Sequence, residues 1–145
     1  MTTDLLLFRV GRELFATELR AVEEAVDLSD LPQVPGAAEP VRAILTLRGA
    51  LVPLFSPAGA LGVSPGEAAT ALVVRDAGGR IAIAADDVED VLTLREGDLR
   101  PVPAADARDA GVLRGVVRRG TDLIAVVDLG ALIAACRGAS HPEAA

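Results

Sequence analysis

Apolar residues in this chain come in short runs separated by glycine, proline and charged residues. Leu5 to Val10 and Glu13 to Thr17 flank Gly11-Arg12, where glycine supplies the positive φ of a tight hairpin turn. Val41 to Leu47 reads as a strand that turns at Arg48-Gly49 into Leu51 to Phe55. Pro53 inside that last run argues for an edge or bulged strand, because proline withholds a ladder donor. Ala71 to Arg75, Arg80 to Ala85 after Gly78-Gly79, Val88 to Leu94, Val112 to Arg118 and Leu123 to Val127 continue the series. Arg20 to Leu28 has apolar spacing that also suits a helix, but its counterpart from Val88 is β-branched, so both read as strands. Short strands at regular spacing predict an all-β fold of small barrels.

The series is told twice. Gly11-Arg12 answers to Gly79-Arg80, and Val22-Glu23-Glu24 to Val88-Glu89-Asp90 at an offset of 66 residues. Gln33-Val34-Pro35 answers to Pro101-Val102-Pro103, and Leu51 to Ser56 to Leu123 to Asp128. The drift in offset marks loop insertions within a duplicated plan. The predicted layout is one domain over residues 1–145, with one subdomain at about 5–63 and a second at about 70–128. Val63 to Glu67 is the expected boundary, and Pro57 to Leu61 can form a single helical turn. Leu31-Pro32 to Pro35-Gly36 and Leu99 to Pro103 read as rigid corners. Asp128 is a candidate N-cap for a final helix, Leu129 to Cys136, ended by Gly138 ahead of a frayed polar tail over residues 138–145.

Composition narrows the function. With 145 residues, 51% of them hydrophobic, the chain can bury a full core. Its net charge is −7, every basic residue is arginine, and no basic stripe is present to neutralise phosphates. Phe8, Phe15 and Phe55 are the only aromatic residues, too few to stack bases or sugars. Nucleic acid is therefore not an expected partner. A single cysteine, Cys136, excludes an internal disulfide and fits a reducing cytosol. Apolar runs are far shorter than the ~18 residues of a membrane span. Asp4 precedes Leu5-Leu6-Leu7-Phe8 with no basic stretch, so neither membrane insertion nor a signal peptide is expected and the cytoplasm is the expected location.

Reactive chemistry is sparse. The only histidine, His141, lies in the tail, and Cys136 lies on a helix whose apolar residues suggest burial, which argues against a nucleophile–base pair. Asp86-Asp87-Val88-Glu89-Asp90 is acidic but lacks a loop to gather further cation ligands. Gly78-Gly79 precedes no helix and is a turn, not a phosphate cradle. No cofactor, metal site or catalysis is expected, which points to a binding module. Arg42 and Arg48, at the two ends of Val41 to Leu47, stand out, because arginine is enriched at protein–protein hot spots.

Phe8-Arg9-Val10-Gly11 with Phe15-Ala16, Val22-Glu23-Glu24, Pro32 to Pro35, and Val41 to Leu54 with its central Leu47-Arg48-Gly49 resemble the CheW-like adaptor family of bacterial chemosensory systems. So do Ala82 to Val88, Leu113-Arg114-Gly115 and Leu123 to Leu129; the likeness covers about residues 5–133. It implies two intertwined, five-stranded SH3/OB-like β-barrel subdomains with an apolar region between them and a short C-terminal helix. It also implies an adaptor that joins the cytoplasmic tip of chemoreceptors to the regulatory domain of the histidine kinase CheA, with other CheW-like proteins as further partners. Carried over by position, the partner-binding residues are Val22 and Glu24; Arg42, Ala43, Leu47, Arg48 and Gly49; and Ala82, Val88 and Val91. Arg48 leads, as a polar anchor beside an apolar groove for a receptor hairpin.

Where this chain has Ala43, Thr46, Ser56-Pro57 and Ala82, the family usually has Gly, Asn, Asp-Leu and Gly, although Asp128-Leu129 keeps the pattern in the second half. Two alternatives accompany the reading: a divergent adaptor that binds receptor or another adaptor but not CheA, and a small-molecule-binding β-barrel.

Overall fold

The structure, a computed structural model, describes residues 2–35, 41–103 and 111–139. Gly36 and the tail from residue 140, including His141, lie outside the described residues. Eleven strands and two helices follow in chain order: β1 (Thr2–Val10), β2 (Glu13–Glu18), β3 (Val22–Asp27), β4 (Gln33–Pro35), β5 (Val41–Leu47), β6 (Ala50–Phe55), α1 (Ala58–Leu61), β7 (Thr70–Asp76), β8 (Gly79–Ala85), β9 (Asp87–Arg95), β10 (Leu113–Arg119), β11 (Asp122–Val127) and α2 (Leu129–Ala139).

The strands form two sheets whose membership crosses the two halves of the sequence. The first sheet has the order β3-β7-β8-β6-β5-β4, the second β10-β11-β2-β1-β9. Each half thus lends its first hairpin to the other half's sheet. The β1–β2 hairpin lies between β9 and β11, and the β7–β8 hairpin lies between β3 and β6. Apart from β4 the two orders are the same, including a short parallel contact between the lent hairpin and its host: Val126 with Ala16, and Leu54 with Ala82.

This exchange explains why the hairpins are so apolar. Leu5, Leu7 and Ala16 face the interior of their own sheet with Val117, Ile124 and Val126. Their neighbours Leu6, Phe8 and Phe15 face the other way, into a core shared by both sheets. Ala71 and Val73 likewise turn inward with Leu45, Val52 and Leu54, while Leu72 and Val74 enter the shared core. A strand covered on both faces reads as a continuous apolar run and loses the usual alternation. The apolar region between the subdomains is filled from within the chain, since Leu61 of α1 and Leu132, Ile133 and Cys136 of α2 pack into it.

Four sequence expectations are corrected. The strand register matches the Gly11-Arg12 turn to Ala77-Gly78, not to Gly79-Arg80, which already belong to β8. Pro53 lies in β6, which is an interior strand between β8 and β5, not an edge. It is tolerated there because the β6–β8 pairing begins only at Leu54, so no partner requires the missing N–H. The expected corner at Pro32 to Pro35 contains a strand, β4, which pairs with β5 as an edge where proline is admissible. Its counterpart after Leu99 is a single bridge, Arg100 to Val116. Finally, α2 runs through Gly138 to Ala139; Asp128 caps its start, accepting the Ala131 N–H at 3.1 Å.

Candidate partner-binding site

The repeated triplets Val22-Glu23-Glu24 and Val88-Glu89-Asp90 each mark a β-bulge. Pairing of β3 with β7 slips between Val22 and Glu24, and pairing of β9 with β1 slips between Val88 and Asp90. The middle glutamate is the extra residue, and an arginine of the lent hairpin binds it: Arg75 Nε donates to Glu23 and Arg9 Nε to Glu89, both at 2.9 Å. The first residue, Val22 or Val88, packs against the shared core.

The third residue reaches across the sheet. Glu24 lies on the outer strand β3, and Arg48, from the turn between β5 and β6, donates to it through both terminal nitrogens, Nη1 at 3.2 Å. In the second sheet Asp90 of the outer strand β9 accepts from Arg119 Nη2, at the end of β10, at 3.1 Å. Each pair bridges strands that are not neighbours in their sheet, so each sheet is curled enough to bring them together.

Arg48 sits on a two-residue hairpin turn with φ of 49°, followed by Gly49 at 83°. These values suit a type I′ turn, whose twist matches the flanking strands. Arg48 is the only non-glycine residue with positive φ among the described residues. Asparagine or glycine would occupy that position at less cost, so the arginine is held there against its backbone preference. Strain of this kind clusters at functional positions. The guanidinium in turn holds the Glu24 carboxyl below the usual carboxylate range.

The ten carried-over residues separate by burial. Arg48 and Gly49 are exposed, as is Val91 at 47%. Val22, Glu24, Arg42 and Val88 are half-buried. Ala43, Leu47 and Ala82 are buried at 3%, 2% and 0% exposure and pack inside the first sheet, out of reach of direct surface contact. Ala43 pairs with Leu54 just past a bulge in β5, and Ser56 is also buried.

Sequence reasoning missed two surface leucines. Leu51 on β6 is 74% exposed and Leu123 on β11 is 56% exposed, at equivalent places in the two sheets. Both open apolar runs, Leu51 to Phe55 and Leu123 to Val127, whose later residues are largely buried. The signal available was position, one residue into the strand after a tight turn, where alternate residues of a half-covered sheet face water.

Other groups are committed to structure. Burial pushes the Cys136 thiol up to about 11, far from a reactive thiolate. Glu89 and Asp90 of the acidic cluster serve the arginine contacts above, and Asp86 accepts a hydrogen bond from the Gly11 backbone. Burial raises the Asp86 carboxyl above its ordinary value. A cleft of about 520 Å³ beside it is lined by the Gly11 turn and by Gly62 to Gly66. Among the described residues no helix is long and apolar enough to cross a membrane.

Residues 4–137 match the CheW-like domain family. The chain is 28% identical over 130 residues to the chemotaxis protein CheW of Rhizobium meliloti, covering 87% of this chain and 84% of that one. It is 26% identical over 133 residues to the chemotaxis protein CheW of Treponema pallidum, covering 86% and 78%. The crystal structure of the scaffolding protein TtCheW from Thermoanaerobacter tengcongensis superposes with a TM-score of 0.78 at 21% identity, covering 91% of this chain and 88% of that one, a likeness of fold. With a match that takes in both sheets and α2, this chain belongs to the CheW-like domain family.

Proposed function

We propose that this protein is a non-enzymatic adaptor of a chemosensory pathway, coupling the cytoplasmic tip of a chemoreceptor to the regulatory domain of the histidine kinase CheA. The observation that carries the reading is the family match over residues 4–137, which takes in strands of both sheets and α2. The strained, exposed Arg48 with its Glu24 partner supports a contact surface on the first sheet, which also carries the exposed Leu51. The thiol at about 11 and the committed carboxylates agree with a binding role and not a catalytic one.

The reading is tested by co-sedimentation with membranes bearing receptor and kinase. Arg48→Asn, which keeps the turn, is expected to abolish co-sedimentation while leaving the circular dichroism spectrum unchanged; undiminished co-sedimentation removes Arg48 from the site. A pull-down with the isolated kinase regulatory domain separates the full adaptor from one that binds receptor alone. Burial of Ala43, Ser56 and Ala82 favours the full adaptor, because three of the departures from the family pattern lie beneath the docking surface.

A further inference from the structure

The two halves of the chain act as controls on each other, and at one place they differ in a way the fold does not require. Glu89 of the second bulge binds one arginine, Arg9, and the residue opposite Arg9 in its hairpin is Leu14. Glu23 of the first bulge binds two: Arg75 Nε and Arg80 Nε each donate at 2.9 Å, to separate carboxylate oxygens. Arg75 and Arg80 stand directly opposite each other across β7 and β8. Like charges in that register cost stability. Leu14 shows that an apolar residue serves the hairpin equally well, so Arg80 answers some other demand.

Beside this pair the parallel ladder is shifted along the strands. In the second sheet the parallel contact begins at Ala125 with Phe15. The equivalent pair in the first, Pro53 with Ile81, is missing, and the ladder starts one residue later. Proline has no N–H to give, so the ladder begins only after it. A cleft of about 510 Å³ lies there, with Ala50, Leu51 and Pro53 among its apolar lining and Arg75, Arg80 and Arg137 as its charged lining. Arg137, from the end of α2, donates to Asp76 at 2.9 Å and lies over Gly78, where an added Cβ would meet the guanidinium at 3.1 Å.

We propose that this cleft receives an acidic side chain of a protein partner, presented beside an apolar residue that covers Leu51. Arg75 and Arg80 share one carboxylate through their Nε atoms, which leaves planar Nη donors suited to a second carboxylate. Arginine next to exposed leucine gives an acidic, apolar-flanked segment both charge and area. A second copy is disfavoured, because this chain carries a net charge of −7. The inference stands on the comparison of the two halves and does not depend on which receptor or kinase the adaptor serves.

The test is an amide-shift titration of isotopically labelled protein with N-acetyl-aspartyl-leucinamide, using N-acetyl-asparaginyl-leucinamide and inorganic phosphate as comparators. Saturating shifts at Gly78, Gly79 and Arg80 are expected with the acidic dipeptide, at least about fivefold weaker with the neutral one. They should vanish in Arg80→Leu, which installs the side chain that the equivalent position already carries, and also in Arg80→Gln should the first variant fold poorly. Equal response to both dipeptides, no response at all, or an undiminished response in the variants overturns the proposal. A response to phosphate as strong as that to the dipeptide marks a general anion site and equally overturns it.

Discussion

Arg48 meets Glu24 across the width of the first sheet, from the turn after β5 to the outer strand β3. The contact ties a strained backbone to a charge pair, and the two can be separated. Exposed ion pairs add little to stability, whereas a non-glycine residue at positive φ carries a standing cost. Arg48→Asn is therefore expected to raise the thermal midpoint by about 3 °C while partner binding falls. Scanning calorimetry checks it; a lowered midpoint would make Arg48 a structural residue.

Thr17 offers a second separation of fold from function. It pairs with Leu6, as Ile83 pairs with Leu72 at the equivalent place in the other hairpin. Its hydroxyl is buried without a hydrogen-bond partner among the described residues. The isoleucine shows that an apolar side chain fits the site, so Thr17→Val should stabilise the protein by about 1 kcal/mol in urea unfolding. Loss of stability would reveal a partner for the hydroxyl.

Gly115 and Ala43 occupy matching positions on β10 and β5, just past a bulge in each. A methyl group at Gly115 would collide with the backbone carbonyl of Arg100, which cannot swing aside as a side chain can, and with the Leu99 side chain. Gly115→Ala is expected to cost about 2 kcal/mol, and Ala43→Gly only about 1 kcal/mol through backbone entropy. Denaturant midpoints of the two variants provide the comparison.

Acid should unfold this protein through its arginine-bound carboxyls. Arg75 and Arg80 hold Glu23 low, Arg48 holds Glu24 and Arg9 holds Glu89, while the Ser29 backbone and hydroxyl hold Asp27. A carboxyl depressed in the fold adds stability that is complete above its unfolded value and drains away as pH falls through its folded value. Asp86 acts in reverse, since its raised value favours the protonated fold. Four against one leaves a net loss below about pH 4.5. Glu23→Gln should flatten the fall in urea midpoint between about pH 6 and about pH 3; an unchanged slope would remove Glu23 from the account.

Much of the fold is legible in the sequence because its signals are local. The turns at Gly11-Arg12 and Arg48-Gly49, the strand Val41 to Leu47 and the capped helix after Asp128 follow from residues adjacent in the chain. The exchange of hairpins does not. It depends on parallel contacts such as Leu54 with Ala82, which no periodicity encodes, although the unbroken run Leu5 to Phe8 already required cover on both faces. At the site, Arg48 and Glu24 were legible as motif residues, but their contact was not, because it spans a sheet whose curl is a tertiary property. Arg80 was invisible for the same reason: its meaning comes from Glu23, delivered by a bulge on another strand.

The lending of hairpins makes each half unfinishable by itself. A half-length polypeptide of this plan would present a sheet with an empty slot and a hairpin with nowhere to insert. Two such polypeptides would satisfy each other reciprocally, so a single repeat would be a homodimer by necessity. Joining both repeats in one chain makes that exchange intramolecular, so completing the two sheets no longer depends on concentration.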